Sequence, residues 1–432
     1  MIRVRSDNRV EVAIVGAGIA GIATAYYLSV KHKESSVFLI DWRAPMSYTS
    51  AQSGDNFRNW WPHPTMTAFT NDSIDLMRGL AIETDNLINM TDRGYVLATR
   101  RADIGGVVAV PDSRIDVDVY SDRERIRKKF PALSDDIRNV IHVKRGGDFN
   151  GQQLGQYMLE RFRDAGGKQV RGEITDIRNG DGYSLEVDCE DGRRTVRAEV
   201  VINAAGPFVR HIGEMLGAEL PVKNVYQQKL AFDDKLGAIP RDMAFSIDLD
   251  AKELSWTGEE RALLAEDAGC RWLMETMPAG THCRPEGGER GTWVKLGWAY
   301  NQRPSEPERD LLNERSRDPQ FPEIVMRGAA ALLPALTPYI QAPPSRFAHY
   351  GGYYTMTAEN WPLIGPMGPA NTYVVGALSG FGSMSACAAG NLCAATVCGA
   401  DLPAYADQLS PARYEDEVLM GELQSGVDRG LL

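Results

Sequence analysis

A chain of 432 residues is long enough for two or three domains and a substantial core, and its 43% hydrophobic and 24% charged residues are typical of a soluble globular protein. A formal net charge of -11 argues against nucleic acid or an anionic membrane surface as a default partner. Met1 to Asp7 lacks the apolar run of a secretory signal, so a cytoplasmic protein is expected. The six cysteines (Cys189, Cys270, Cys283, Cys387, Cys393 and Cys398) show no CxxC spacing, which predicts thiols rather than a disulfide framework or a zinc site.

The first element is the apolar strand Val12-Ala-Ile-Val15, which runs directly into Gly16-Ala17-Gly18-Ile19-Ala20-Gly21. A helix is predicted over 19–30, then a second apolar run, Val37 to Ile40, ending at Asp41. This is the spacing of a dinucleotide site. Gly16 permits the tight turn, Gly18 lets backbone approach a pyrophosphate, and Gly21 lets helix and strand pack closely. Unpaired N–H groups at the helix start favour the phosphates, and Asp41 is placed to accept hydrogen bonds from ribose hydroxyls.

Apolar residues at helical spacing predict a helix over 65–89, followed by strands at 95–99 and 106–110. The charged run Ser121 to Pro131 reads as a short solvated helix stopped by proline. A second amphipathic helix is expected over 152–165, ending at Gly166-Gly167. Strands then follow at 170–177, 183–189 and 195–198, separated by turns at Asn179-Gly180-Asp181-Gly182 and Asp191-Gly192. Val200-Val201-Ile202 is wholly apolar, as a buried parallel strand returning to the first sheet would be. From 221 to about 346 the pattern changes to scattered strands and polar loops, with 293–300 the clearest strand. The 28 residues from Tyr373 to Ala400 carry no charge, but Gly376, Gly380, Gly382 and Gly390 predict a strand, a turn and a small-residue helix rather than a membrane span.

Three segments taken together, Gly16 to Gly21, Val200 to Gly206, and Thr357 to Gly365 with Gly376 to Gly382, resemble the D-amino-acid oxidase family, most closely its sarcosine oxidase and glycine oxidase branch of FAD-dependent oxidoreductases. The resemblance implies an α/β fold. A Rossmann-like FAD-binding domain would be built from 1–75, 146–220 and 347–432, with a mixed, mainly antiparallel substrate domain from 76–145 and 221–346. It implies FAD as the cofactor, with contacts from the glycine loop, Asp41 and Trp42, Ser53 and Gly54, Phe57 and Arg58, Ile174, Ala204 and Gly206, Gly352, and Gly380 to Met384 (Gly380, Phe381, Gly382, Ser383, Met384). The turn Ser379 to Ser383 ends a strand and starts a helix, so its N–H groups are placed to face the flavin edge where negative charge collects on reduction.

Trp293-Val294-Lys295-Leu296-Gly297-Trp298 resembles the sarcosine oxidase strand whose lysine promotes electron transfer to oxygen, which assigns that role to Lys295. Superoxide is an anion, so a fixed cation beside the ring lowers the barrier to its formation. The sequence also departs from the family. The position of the flavin-linking cysteine is Gly352, which predicts noncovalent FAD; the carboxylate clamps fall on Trp61, Met384 and Tyr354; and the histidine after the lysine strand is Ala299. What remains is aromatic: Trp60, Trp61, Trp298, Tyr350, Tyr353 and Tyr354, an apolar or cation-binding box for a larger amine. Tyr354 is the expected substrate contact, with His349 and His63 as polar groups and His349 as a possible base.

The expected activity is FAD-dependent oxidation of a small-molecule amine by hydride transfer to the flavin, with molecular oxygen reduced to hydrogen peroxide. The alternatives are a dehydrogenase of the same fold that passes electrons to a quinone or carrier, and a noncatalytic flavoprotein that binds a partner.

Overall fold

The computed structural model describes residues 9–104, 116–288, 290–311 and 317–425. The strand expected at 106–110 lies outside them. Two sheets organise the chain. The first contains β1 (Arg9–Val15), β2 (Val37–Asp41), β8 (Lys168–Gly180), β9 (Gly182–Cys189), β10 (Gly192–Asn203), β16 (Leu363–Pro366) and β17 (Thr372–Gly376). β1 lies between β2 and β10, parallel to both, and β10 continues in parallel to β17. This buried centre is why Val12 to Val15 and Val200 to Ile202 are continuously apolar rather than alternating. The strands expected at 195–198 and 200–202 are one strand. The N-terminal half of β10 pairs with β9, and its C-terminal half turns into the parallel sheet beside β1.

Helices 19–26, 64–83, 151–164 and 382–397 cover one face of this sheet with a common apolar core. The first is extended by a π-helical turn, Tyr27–Lys31. The uncharged 382–397 helix is small because it is crowded: a Cβ on Gly390 would lie 2.6 Å from the backbone of Ala23. Among the described residues no helix is long and apolar enough to cross a membrane. The helix expected over 65–89 stops at Glu83, and Asp85, Asn86 and Asn89 take left-handed backbone conformations that end it.

The second sheet runs in the order β15 (Phe347–Met356), β11 (Lys223–Asp233), β14 (Trp293–Gly297), β13 (His282–Glu286), β12 (Phe245–Asp248), β4 (Tyr95–Thr99), β6 (Asn139–Val143), β5 (Val117–Tyr120). All its pairings are antiparallel except β12 with β4. A short ribbon, β3 (Asn56–Arg58) with β7 (Gly146–Asp148), joins the two bodies. Two features differ from the sequence division into domains. Residue 75 falls inside the 64–83 helix, and β15 belongs to the second sheet, pairing with β11 from Phe347↔Phe232 to Met356↔Lys223. Its glycines make room for neighbouring side chains: a Cβ on Gly351 would sit 2.7 Å from the Tyr226 ring.

The second sheet has two unlike faces. One carries Leu230, Phe232, Val294, Leu296 and Trp298 and is sealed by the helix 321–332. The other carries Lys229, Lys295, Arg284 and His282 and faces the glycine-rich end of the first sheet.

Candidate active site

A cleft runs from the β1 glycine loop to the polar face of the second sheet, bounded by residues of both sheets. At one end are Gly16, Ala17, Gly18, Ile19 and Ala20, with Asp41 opposite. Gly16 has φ of +110°, and a Cβ there would lie 2.3 Å from the Ala204 carbonyl oxygen. The helix begins at Ile19 with no acidic residue in its first turn, so its positive end is left for an anion. Asp41 accepts from the Ala17 N–H at 2.8 Å and the Arg43 N–H at 2.8 Å, which fixes its carboxylate at the loop. Gly21 acts by packing: a Cβ there would lie 1.9 Å from the Gly16 carbonyl oxygen. Gly21→Val is therefore expected to give protein without bound flavin, read as loss of absorbance near 450 nm relative to 280 nm, because backbone rather than a movable side chain blocks the methyl groups.

The middle of the cleft is lined by Ala204 and Gly206, and the far end by Ser53, Gly54, Gly352, Tyr354, Gly380, Gly382 and Ser383. The turn before the 382–397 helix holds Ala377 at φ +52° and Ser379 at φ +47°. Non-glycine residues in this region are strained, and such strain collects where a ligand must be met. The residues present fit a dinucleotide whose phosphates meet a helix start and whose ring ends between two sheets.

Several expected contacts are placed elsewhere. Trp42 is sandwiched between the guanidinium groups of Arg43, 3.6 Å from its centroid, and Arg309, 4.1 Å away. Phe57 and Phe381 are core residues, the latter edge-on to Trp61 at 4.9 Å. Ile174 is buried under the first sheet, and Met384 is buried with its carbonyl accepting from Ser73. Arg58 is buried behind the ribbon, 4.7 Å from the Trp61 ring and 3.4 Å from the Tyr95 hydroxyl to which it donates. Trp60 packs with Tyr95, Leu97 and Phe245. Trp298 and His349 lie on the far face of the second sheet, because each is one residue out of phase with the cleft side. Trp298 donates to the Pro278 carbonyl, and His349 stacks on Phe321 at 5.6 Å with Nε2 2.9 Å from Gln228. His349 is thus removed from any role as base in the cleft. His63 caps the 64–83 helix by accepting from the Thr65 N–H.

Lys295 is on the cleft side of β14, as its alternation with Trp293 and Gly297 predicts, but it does not line the cleft. Its Nζ lies 2.9 Å from Glu286, whose carboxylate also meets Arg284 at 2.6 Å. Burial raises the Glu286 carboxyl pKa, and Arg284 and Lys295 more than offset this. The lysine that does line the cleft is Lys229 on β11. Its Nζ donates to the Gln52 carbonyl at 3.0 Å and stands 5.8 Å from the Tyr354 ring centroid. Burial pulls its pKa down to about 8, with Asp55 opposing. Burial alone raises the Tyr354 hydroxyl to about 12.

Lys229, His282, Arg284 and Glu286 were not singled out from sequence. The one available signal was a lysine inside the strand-like run Val225 to Phe232, where charge is out of place unless it has a function.

A glycine cradle at a helix start, an acidic residue at the tip of the second strand and a second sheet closing the far end define a two-domain dinucleotide-dependent oxidoreductase. Residues 11–396 match the family described as FAD dependent oxidoreductase, and the chain belongs to that family. FAD is accordingly its cofactor. Among solved structures it is similar to glycine oxidase from Geobacillus kaustophilus (17% identity, TM-score 0.71, covering 93% of this chain and 98% of that one). It is also similar to L-proline dehydrogenase from P. horikoshii (17%, 0.72, 95% and 99%). NikD, an unusual amino acid oxidase essential for nikkomycin biosynthesis, is a third (16%, 0.70, 93% and 97%). At these identities the likeness is one of fold. Human mitochondrial dimethylglycine dehydrogenase is 23% identical over 253 residues, 56% of this chain, which spans only 29% of that relative's length.

Proposed function

We propose that the protein oxidises an amine or amino-acid derivative to the imine, with oxygen as electron acceptor and hydrogen peroxide as product. When bound, FAD supplies the acceptor for a hydride from the carbon next to nitrogen. Lys229 is the observation that carries this reading: a buried cation at the ring end of the cleft, held by a neutral carbonyl rather than a carboxylate, keeps its positive field for an anion formed beside it. The oxygen-activating role expected of Lys295 thus passes to Lys229, while Lys295 belongs to an ion-paired cluster that shapes the chamber. Tyr354 packs its ring on Gly380, where a Cβ would lie 2.6 Å from it, and so sets the distance between the turn at 379–381 and the substrate side.

Noncovalent binding is supported because no described cysteine or histidine lines the cleft and Gly352 stands where the resemblance to sarcosine oxidases places a linking cysteine. The test is anaerobic addition of amines and amino acids while the oxidised-flavin absorbance is followed. Bleaching by an amine, with peroxide formed on admitting air, is the expected result. Bleaching without peroxide identifies a dehydrogenase, and absence of bleaching with every amine and amino acid sinks the amine reading.

A further inference from the structure

Two buried cations of the second sheet grip one short piece of chain. Lys229 on β11 and Arg284 on β13 are 8% and 4% exposed. The Lys229 Nζ donates to the Gln52 carbonyl at 3.0 Å, and the Arg284 Nε donates to the Gly54 carbonyl at 2.9 Å. Gln52, Ser53 and Gly54 all line the cleft, between the helical turn that ends at Gln52 and the start of β3 at Asn56. The segment also touches the lysine stem, since a Cβ on Gly54 would lie 3.8 Å from Lys229 Cε. At its far end the Asp55 N–H turns back to Ser53 Oγ at 3.0 Å, with Asp55 at a φ of +56°.

The two grips are unequal. Lysine carries a point charge on a flexible stem, whereas arginine presents its donors in a rigid plane. The Arg284 plane is held at several points: Nη2 meets Glu286 at 2.6 Å, and Nη1 donates to the Pro285 carbonyl at 3.2 Å and stands 3.8 Å from Asp148. Gly54 is thus pinned by a fixed bracket, and Lys229 takes its place from the segment it bonds to. Lys295 belongs to the same bracket, because it shares a rung with Arg284 and pairs with Glu286 at 2.9 Å. Glu286 counters the charge of Arg284, so what this arginine supplies to the cleft is position rather than field.

We propose that Arg284 is a positioning residue for the reaction with oxygen: by holding the Gly54 carbonyl it fixes the segment 52–54 along the cleft and, through the Gln52 carbonyl, the place of the Lys229 ammonium. This rests on the oxygen-activating role of Lys229 above. Arg284 moves no proton and no electron. Its loss frees the segment, so Lys229 keeps its charge but loses its fixed place, and the cleft wall no longer closes as tightly on the cofactor.

The test is a double-mutant cycle on flavin-loaded protein reduced with dithionite, so that no substrate has to be known, and then mixed with oxygen in a stopped-flow instrument. Arg284→Met is expected to slow reoxidation tenfold or more in the parent protein and less than twofold in the Lys229→Met background, because the group it positions is then gone. Arg284→Lys, which keeps a cation and one donor, should recover part of the rate. Release of flavin from the holoenzyme on dilution, followed by flavin fluorescence, should be fivefold or more faster in Arg284→Met. Arg327→Met serves as the control for a purely structural loss. It removes a buried arginine paired with Glu260 and Glu323 on the helix 321–332, across the sheet from the cleft; it should lower Tm and leave both rates within twofold of the parent. If Arg284→Met does not load with flavin, Arg284→Lys with and without Lys229→Met supplies the same comparison. Equal slowing in the two backgrounds, or reoxidation within twofold of the parent in the flavin-loaded Arg284 variant, overturns the proposal while Lys229 keeps its role. Reoxidation that is indifferent to Lys229→Met overturns the oxygen reading and this proposal with it, and leaves the amine reading to its own test.

Discussion

Lys229→Met is expected to slow reoxidation of the reduced enzyme by oxygen by about 100-fold or more while anaerobic reduction by substrate changes far less. A single preorganised electrostatic group is worth about 10²–10³ in rate, and Lys229 is the lysine that lines the cleft. Its position runs against stability. A pKa drawn down from 10.5 to about 8 means that folding disfavours the protonated lysine by about 3 kcal/mol. The unfolded chain binds that proton more tightly, so the penalty is present in full below pH 8 and relieved as pH rises from 8 to 10.5. Removing the charge should therefore leave Tm unchanged or raise it, separating a functional loss from a folding defect. In the unmodified protein the reoxidation rate should fall as pH rises through about 8, and Lys229→Met should lose that dependence. Stopped-flow mixing of reduced enzyme with oxygen reads both. Lys295→Met serves as the comparison: its charge is already countered by Glu286, so less than a tenfold effect is expected. A large loss in Lys295→Met with none in Lys229→Met would return the role to the strand the sequence motif first indicated.

Arg413→Met is expected to destabilise the protein by about 3–5 kcal/mol, because it leaves a buried carboxylate without its cation. The guanidinium is fully buried, donates from Nε to Glu359 at 2.9 Å and from Nη1 to the Pro362 carbonyl at 2.6 Å, and reaches the carbonyls of Trp361 and Leu409. Tyr414 donates to the same Glu359 oxygen. These bonds clamp the segment 357–362, in which Thr357 also bonds Trp361 and Asn360 takes a φ of +62°. That segment leads into β16, which pairs with β17 directly before the strained turn of the cleft. The variant should lower Tm by on the order of 5 °C and weaken flavin retention together. Pairing it with Glu359→Gln should recover part of the stability, since the orphaned charge is then removed. A Tm within 1 °C of the parent protein would show that the clamp contributes nothing measurable.

The nucleotide half of the molecule was readable because its signals are local. Gly16, Gly18, Gly21 and Asp41 act through one turn and one βαβ unit, and the uncharged run 373–397 contains its own strand, turn and helix. The substrate half was not, because its chemistry depends on register. Lys229, Gly297 and His282 meet only through two antiparallel pairings between distant strands, and a shift of one residue would turn all three to the apolar face. The same parity explains why Trp298 and His349, adjacent in sequence to cleft-side positions, lie on the other side of the sheet.

The pairing of β1 with β10 has a consequence for synthesis. Val12 meets Val200, so β1 and the glycine loop made first acquire their second parallel neighbour only after nearly half of the chain has been translated, and that neighbour waits in turn for β17, where Val201 meets Thr372. At about 5–20 residues per second, some 20–70 s separate the emergence of β1 from that of β17. For about the first half of that interval, until β10 emerges, the apolar strand Val12–Val15 waits without one of its two parallel partners, exposed to aggregation or chaperone capture. The cleft lining includes Val375 to Gly380, Gly382 and Ser383, so the complete site exists only on a nearly finished chain, and FAD supply bears on the stability of the completed protein rather than on the early collapse of the nascent one.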